Sequence, residues 1–188
     1  MNRISDSGDE GEEEFLRLVP GAIKSRDRSL GDCIVPVMID GLRAPFYVEV
    51  KTCRVASRGT LNQVRAIKYS TTVVYVPLRR KHWIVIPADV IVRKVYKKRR
   101  GQHTEVPFEC AAISLNGWEE RYACSSRRLA ETVEKAILRS NNAKYDGLRK
   151  VLRLMKRDLE RFSAYARLEV KAVLLGDLMP WDDRKFEV

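Results

Sequence analysis

Histidine is nearly absent from this chain of 188 residues, which contains two, and cysteine is sparse at four. His82 and His103 lie far apart, at neither metal-ligand nor acid–base spacing. Cys33, Cys53, Cys110 and Cys124 form no Cys-x-x-Cys pair and match no histidine at zinc spacing. Nothing therefore supports a zinc site, a Ser/His/Asp triad or a Cys/His nucleophile. The four thiols read as structural and reduced, as in a cytosolic protein. A Gly-x-x-x-x-Gly-Lys loop is missing, so no nucleotide cofactor is expected. No apolar run approaches membrane-spanning length, and the acidic first residues are unlike a signal peptide. A cytoplasmic or nucleoid-associated protein with no membrane partner is expected. Internal repeats and low-complexity linkers are also lacking.

Negative charge is in short supply. Lys and Arg number 36 against 25 Asp and Glu, a formal net charge of +11. Such a surplus favours a polyanionic partner. Arginine outnumbers lysine, and its planar fork grips phosphate oxygens bidentately. Base composition, heat adaptation or plain solvation would leave the same bias. The 45% hydrophobic content is enough for the core of one domain of ordinary size.

Ser7 is a plausible N-cap for a helix through Glu12, Glu13, Glu14, Phe15, Leu16 and Leu18, stopped by Pro20-Gly21. A short strand is expected over Ala22–Arg26 and a Val/Ile-rich one over Asp32–Ile39. Asp40-Gly41 is a hairpin turn signal, with Ala44–Cys53 as the returning strand. Leu61, Val64, Ala66 and Ile67 predict a helix over Arg58–Ser70, and Val73–Val76 and Trp83–Ile86 are two further strands. Beyond residue 90 come a basic cluster before Gly101, a strand over Val106–Leu115 ended by Asn116-Gly117, and a helical pattern from about Ser126. The expected fold is α/β, a mixed sheet flanked by helices with a mostly helical C-terminal extension. The expected division is a loose start over 1–8, a core over 9–95, a basic loop with an additional strand over 96–125, a helical extension over 126–176 and a tail over 177–188.

The chemistry lies in Glu49-Val50-Lys51. Alternation puts Glu49 and Lys51 on one face of a strand and Val50 on the other. Asp32 is one hairpin away and Glu14 lies further back. Two carboxylates and a lysine around one point suit Mg²⁺ with a charged group beside its water, a combination that suggests phosphodiester hydrolysis. Taken singly, the Glu-x-Lys pair is also the pattern of a solvated sheet face, Asp32 that of a turn residue, and Glu14 that of one acid among several in a helix first turn.

Glu14 in the first helix, Gly31-Asp32 opening a strand, Val48-Glu49-Val50-Lys51-Thr52, and Gln63 in the helix expected next follow an order that resembles the PD-(D/E)xK nuclease superfamily. Within it the chain looks most like archaeal Holliday-junction resolvases and related small endonucleases. The likeness covers roughly residues 8–92, where Val73–Val92 is similar to the strands that close that core. Gly31 stands where the family often has proline, and the serine-rich loop before the aspartate is reduced to Arg28-Ser29-Leu30. The resemblance implies a restriction-endonuclease-like core. It assigns Asp32, Glu49 and the Val50 carbonyl to Mg²⁺ (or Mn²⁺), with Glu14 reaching it through water or supporting a second ion. Lys51 would steady the attacking water and the phosphate, and Gln63 would orient Lys51 or the phosphate. It also implies a homodimer, because a four-way junction is two-fold symmetric.

Backbone-gripping cations are expected at Arg79, Arg80 and Lys81, at Lys97, Lys98, Arg99 and Arg100, and along the helical stripe Lys150, Arg153, Arg157 and Arg161, with solvated loops and a water-facing stripe as the alternatives. The function expected is a metal-dependent DNA endonuclease selective for branched DNA. Two rivals stand: a site-specific enzyme of restriction or homing type on the same core, and a DNA-binding protein that never cuts. RNA as substrate is not excluded.

Overall fold

The computed structural model describes residues 5–26, 31–53, 59–65, 72–77, 82–104, 107 and 109–140. Its first helix, α1 (Ser5–Leu18), begins at Ser5 rather than Ser7 and ends ahead of Pro20-Gly21. Gly11, Glu12, Phe15 and Val19 form its buried side, the three- and four-residue spacing of a helix laid on a sheet.

Strands β1 (Ile23–Lys24), β2 (Cys33–Ile39) and β3 (Leu42–Cys53) follow. β2 and β3 are an antiparallel hairpin from Cys33 opposite Val48 to Ile39 opposite Leu42. The two residues left to turn are Asp40 and Gly41, at φ 49° and 83°. A tight two-residue hairpin needs positive φ at both, which aspartate tolerates and glycine adopts without cost. After β4 (Thr60–Val64) come β5 (Thr72–Pro77) and β6 (Trp83–Ile86). The chain continues through α2 (Ala88–Tyr96), β7 (Ala111–Ser114), a 3₁₀ turn at Trp118–Tyr122 and β8 (Ala123–Cys124). Residues 129–140 are helical.

The main sheet has the order β1-β2-β3-β5-β6-β8. β3 and β5 run parallel and every other neighbouring pair is antiparallel. The fold is thus α/β with a mixed sheet, as expected. A parallel pair requires a crossover connection, here made by residues 54–71, which contain β4.

Three sequence expectations change. The helix expected over Arg58–Ser70 is replaced, in its described part, by β4, which pairs with β7 in a separate two-stranded sheet. Leu61 and Val64 are buried, as a helix would also have them, but a bulge between them lets two residues at helical spacing point inward from a strand. The apolar run ending at Val92 is strand only to Ile86. Pro87, at φ −61°, precedes α2, where Val90, Ile91 and Val95 are buried and Arg93 is exposed. The strand expected over Val106–Leu115 is confined to Ala111–Ser114, with 105, 106 and 108 outside the described residues.

One face of the sheet packs on α1 and helix 129–140. Cys33, Val35, Val37, Val48, Val50, Val74, Trp83 and Val85 meet Phe15, Val19, Leu129, Val133 and Ile137 in one core. Phe15 and Trp83 tilt together at 6.2 Å, and the Trp83 indole N–H donates to Ser126 Oγ at 3.3 Å. β8 and helix 129–140 share this core, so these described elements past residue 95 are built into the fold, and residues 141–188 of the expected extension and tail lie outside the described residues. Ile84 and Ile86, equally buried, point to the opposite face. α2 lies against β5 and β7, and its start is fixed by Ala88 N–H donating to the buried Ser140 Oγ at 3.0 Å.

Candidate metal centre

The register decides what surrounds Glu49. Cys33 faces Val48 across the hairpin, so Asp32, one residue earlier, falls beside Glu49 on the face away from α1. Glu49 and Lys51 align with Val73 and Tyr75 of β5, which align in turn with Ile86 and Ile84. The Asp32, Glu49 and Lys51 side chains therefore share the sheet face that carries Ile84 and Ile86.

The backbone locks Asp32 at the point where β2 begins. Its amide donates to the Val48 carbonyl at 3.0 Å, and its Oδ2 accepts the Val50 amide at 2.8 Å. The amide and carbonyl of a strand residue face the same flank, so the Val50 carbonyl is directed past the start of β2, beside Asp32. Gly31 makes the close approach possible. A Cβ there would stand 3.1 Å from Tyr47 Cβ and 3.2 Å from the Val48 carbonyl oxygen, and the φ of +156° is closed to proline.

Burial pushes the Asp32 carboxyl up to about 6, with the Glu49 carboxylate adding to the effect and Glu12 contributing; the Val50 amide and Lys51 pull the other way. Lys51 Nζ is ion-paired with Glu49 Oε1, both side chains half-buried. Lys51 is thereby held over the carboxylates.

The helix acid whose charge reaches Asp32 is Glu12, buried on the α1 side of the sheet. Glu14, the sequence candidate, points to solvent and pairs with Arg17 at 3.6 Å. Glu12 is 6% exposed, pairs with Lys24 Nζ at 3.1 Å, and is close enough to raise both Asp32 and Cys33. Helical phase was the available signal: Glu12 lies three residues before Phe15 on the apolar stripe, and Glu14 does not. Cys33, beside Glu12 and Asp32, is pushed up to about 12 by burial and those charges, so it is an inert apolar thiol.

Gln63 is not in a helix. It is exposed on β4 at the bulge, at φ 53°, and its amide donates to Gln102 Oε1 at 2.7 Å. No hydrogen bond joins it to Lys51 among the described residues. Lys97, Lys98, Arg99 and Arg100 are exposed just past α2. Arg79, Arg80, Lys81, Lys150, Arg153, Arg157 and Arg161 lie outside the described residues. His82 Nε2 lies 3.6 Å from Glu120 Oε2, and His103 is exposed.

Among the described residues no three His, Cys, Asp or Glu side chains converge on one point, and no helix is long and apolar enough to cross a membrane. Compared with known protein families, curated proteins and solved structures, the chain matches none.

Proposed function

We propose that this protein is a Mg²⁺-dependent DNA endonuclease with a restriction-endonuclease-like core, similar to the PD-(D/E)xK nucleases and selective for branched DNA. The observation that carries the reading is Asp32, pinned by the Val50 amide beside Glu49, with Lys51 on the same face. The order of elements also supports it: a helix, a hairpin bearing the acid and the Glu-x-Lys strand, then a parallel return strand.

The donor set fits the ion. Asp32, Glu49 and the Val50 carbonyl are all oxygen donors, and Mg²⁺ is commonly held by one or two carboxylates together with water and substrate oxygens. Asp32's raised proton affinity marks a pair of carboxylates crowded by charge and partial burial, and a cation relieves that crowding. When bound, Mg²⁺ or Mn²⁺ supplies Lewis acidity at the phosphoryl oxygen and a more acidic water. Lys51 adds a fixed positive charge where the scissile phosphate gains negative charge. Glu12, paired with Lys24, adds negative charge near Asp32 from the helix side of the sheet. Water displaces the 3′-oxygen, leaving a 5′-phosphate and a 3′-hydroxyl. The two-fold symmetry of a four-way junction makes a homodimer the expected assembly.

Calorimetric titration with Mn²⁺ tests the metal assignment. One site per chain is expected, lost in Asp32→Asn and in Glu49→Gln. Binding unchanged in both variants would sink the proposal.

A further inference from the structure

The second basic surface has its own construction. Lys97, Lys98, Arg99 and Arg100 are exposed, and neither they nor Lys94 pairs with a carboxylate among the described residues. They are not on a loose tail. Gln102 follows them and is tied on three sides: its amide donates to the Cys110 carbonyl at 2.7 Å, its Oε1 accepts the Gln63 amide at 2.7 Å, and its Nε2 donates to Asn62 Oδ1 at 3.2 Å. Gly101 is packed so closely that a Cβ would lie 2.6 Å from the Thr104 carbonyl oxygen. Gln63, at the other end of this clamp, holds a left-handed φ of 53°, a conformation that costs free energy in any residue but glycine. A run of cations that only needed solvation would require none of this.

Trp118 stands against Lys94, one helical turn before the run. Its indole N–H donates to the Ser114 carbonyl at 2.9 Å, which fixes the half-exposed ring. Lys94, on the last turn of α2, sits 4.1 Å from the ring centre, a cation–π contact. The neighbouring acids are turned elsewhere. Glu119 is buried and accepts the Gly117 amide at 3.0 Å, while Glu120 Oε2 lies 3.6 Å from His82 Nε2.

We propose that Trp118, Lys94 and the run Lys97–Arg100 form a docking site for single-stranded nucleic acid. An unpaired base takes the indole face that Lys94 occupies in the free protein. The lysine moves to the adjoining phosphate, and the clamped run holds the phosphates that follow. A base inside a duplex has its faces covered by its neighbours and cannot stack this way. The proposal rests on the nucleic-acid partner inferred above and not on cleavage.

The test is fluorescence-anisotropy binding of a labelled oligothymidylate and a hairpin duplex, in EDTA, across a salt series. Trp118→Ala is expected to weaken oligothymidylate binding about tenfold, leaving the duplex little changed. Trp118→Phe, which keeps a ring, should recover much of the loss. The K97A/K98A/R99A/R100A variant, altered only at exposed positions, should lower the slope of log K against log salt by about 3. Unchanged oligothymidylate affinity in Trp118→Ala, or an unchanged slope in the quadruple variant, would overturn the proposal. Because no metal is present, expected binding from a protein that cuts nothing would uphold this surface and count only against the nuclease reading.

Discussion

Asp32 binds a proton more readily than a free aspartate, because burial and the neighbouring Glu49 both penalise its charge. Its folded-state pKa of about 6 lies above the ordinary 3.8, so its contribution to stability is complete below the lower value and lost as pH rises through the higher one. Thermal melts without divalent cation should show this. The stability of the wild type relative to Asp32→Asn falls as pH rises across that window, and saturating Mg²⁺ removes the trend. Parallel curves would mean that Asp32 is not in this environment. The same proton competes with a cation, so Mn²⁺ affinity should drop as pH falls below about 6. The helix acids offer a second comparison. Glu12 is buried and adds to the negative charge felt by Asp32, whereas Glu14 pairs with Arg17 at the surface. Glu12→Gln should lower Mg²⁺-dependent cleavage by about tenfold, the usual cost of losing a supporting group. Glu14→Gln should leave it nearly unchanged, and equal effects would refute the assignment.

The elements were unevenly legible in the sequence. The β2–β3 hairpin stood out because Asp40-Gly41 supplies the positive φ that the turn demands. β4 did not, because Leu61 and Val64 have helical spacing and only a bulge reconciles it with a strand. α2 was hidden because every position in Trp83–Ile86 is buried and its apolar character continues past Pro87 into Val90 and Ile91. Asp32, Glu49 and Lys51 could be found by order and alternation, whereas choosing Glu12 over Glu14 required the phase of α1. Gln63 tests the reassignment of β4. At φ 53°, Gln63→Gly should stabilise the fold or leave it unchanged, whereas in a helix it would cost roughly 1 kcal/mol. A lowered melting temperature would restore the helix. Gly11 tests how α1 is seated. A Cβ there would stand 2.2 Å from Thr52 Oγ1, so Gly11→Ala should cost about 1–3 kcal/mol despite alanine's better helix propensity. Adding Thr52→Ala should recover part of that loss, as measured by denaturant unfolding.

At the scale of the whole molecule, α1 and helix 129–140 fill one side of the sheet, and the other side carries both the carboxylate cluster and, over β5, α2 with the basic run that follows it. A net charge of +11 draws a polyanion to the molecule, but only the Asp32, Glu49 and Lys51 group distinguishes a protein that cuts from one that binds. The decisive measurement is cleavage of a labelled panel (four-way junction, flap, single strand and linear duplex) with and without Mg²⁺, with Glu49→Ala and Lys51→Ala alongside. Metal-dependent cutting of branched DNA, lost in both variants, is the expected result. Cutting that persists in both variants, or the failure of the wild type to cut any substrate it binds, would contradict the assignment of this cluster as a nuclease site.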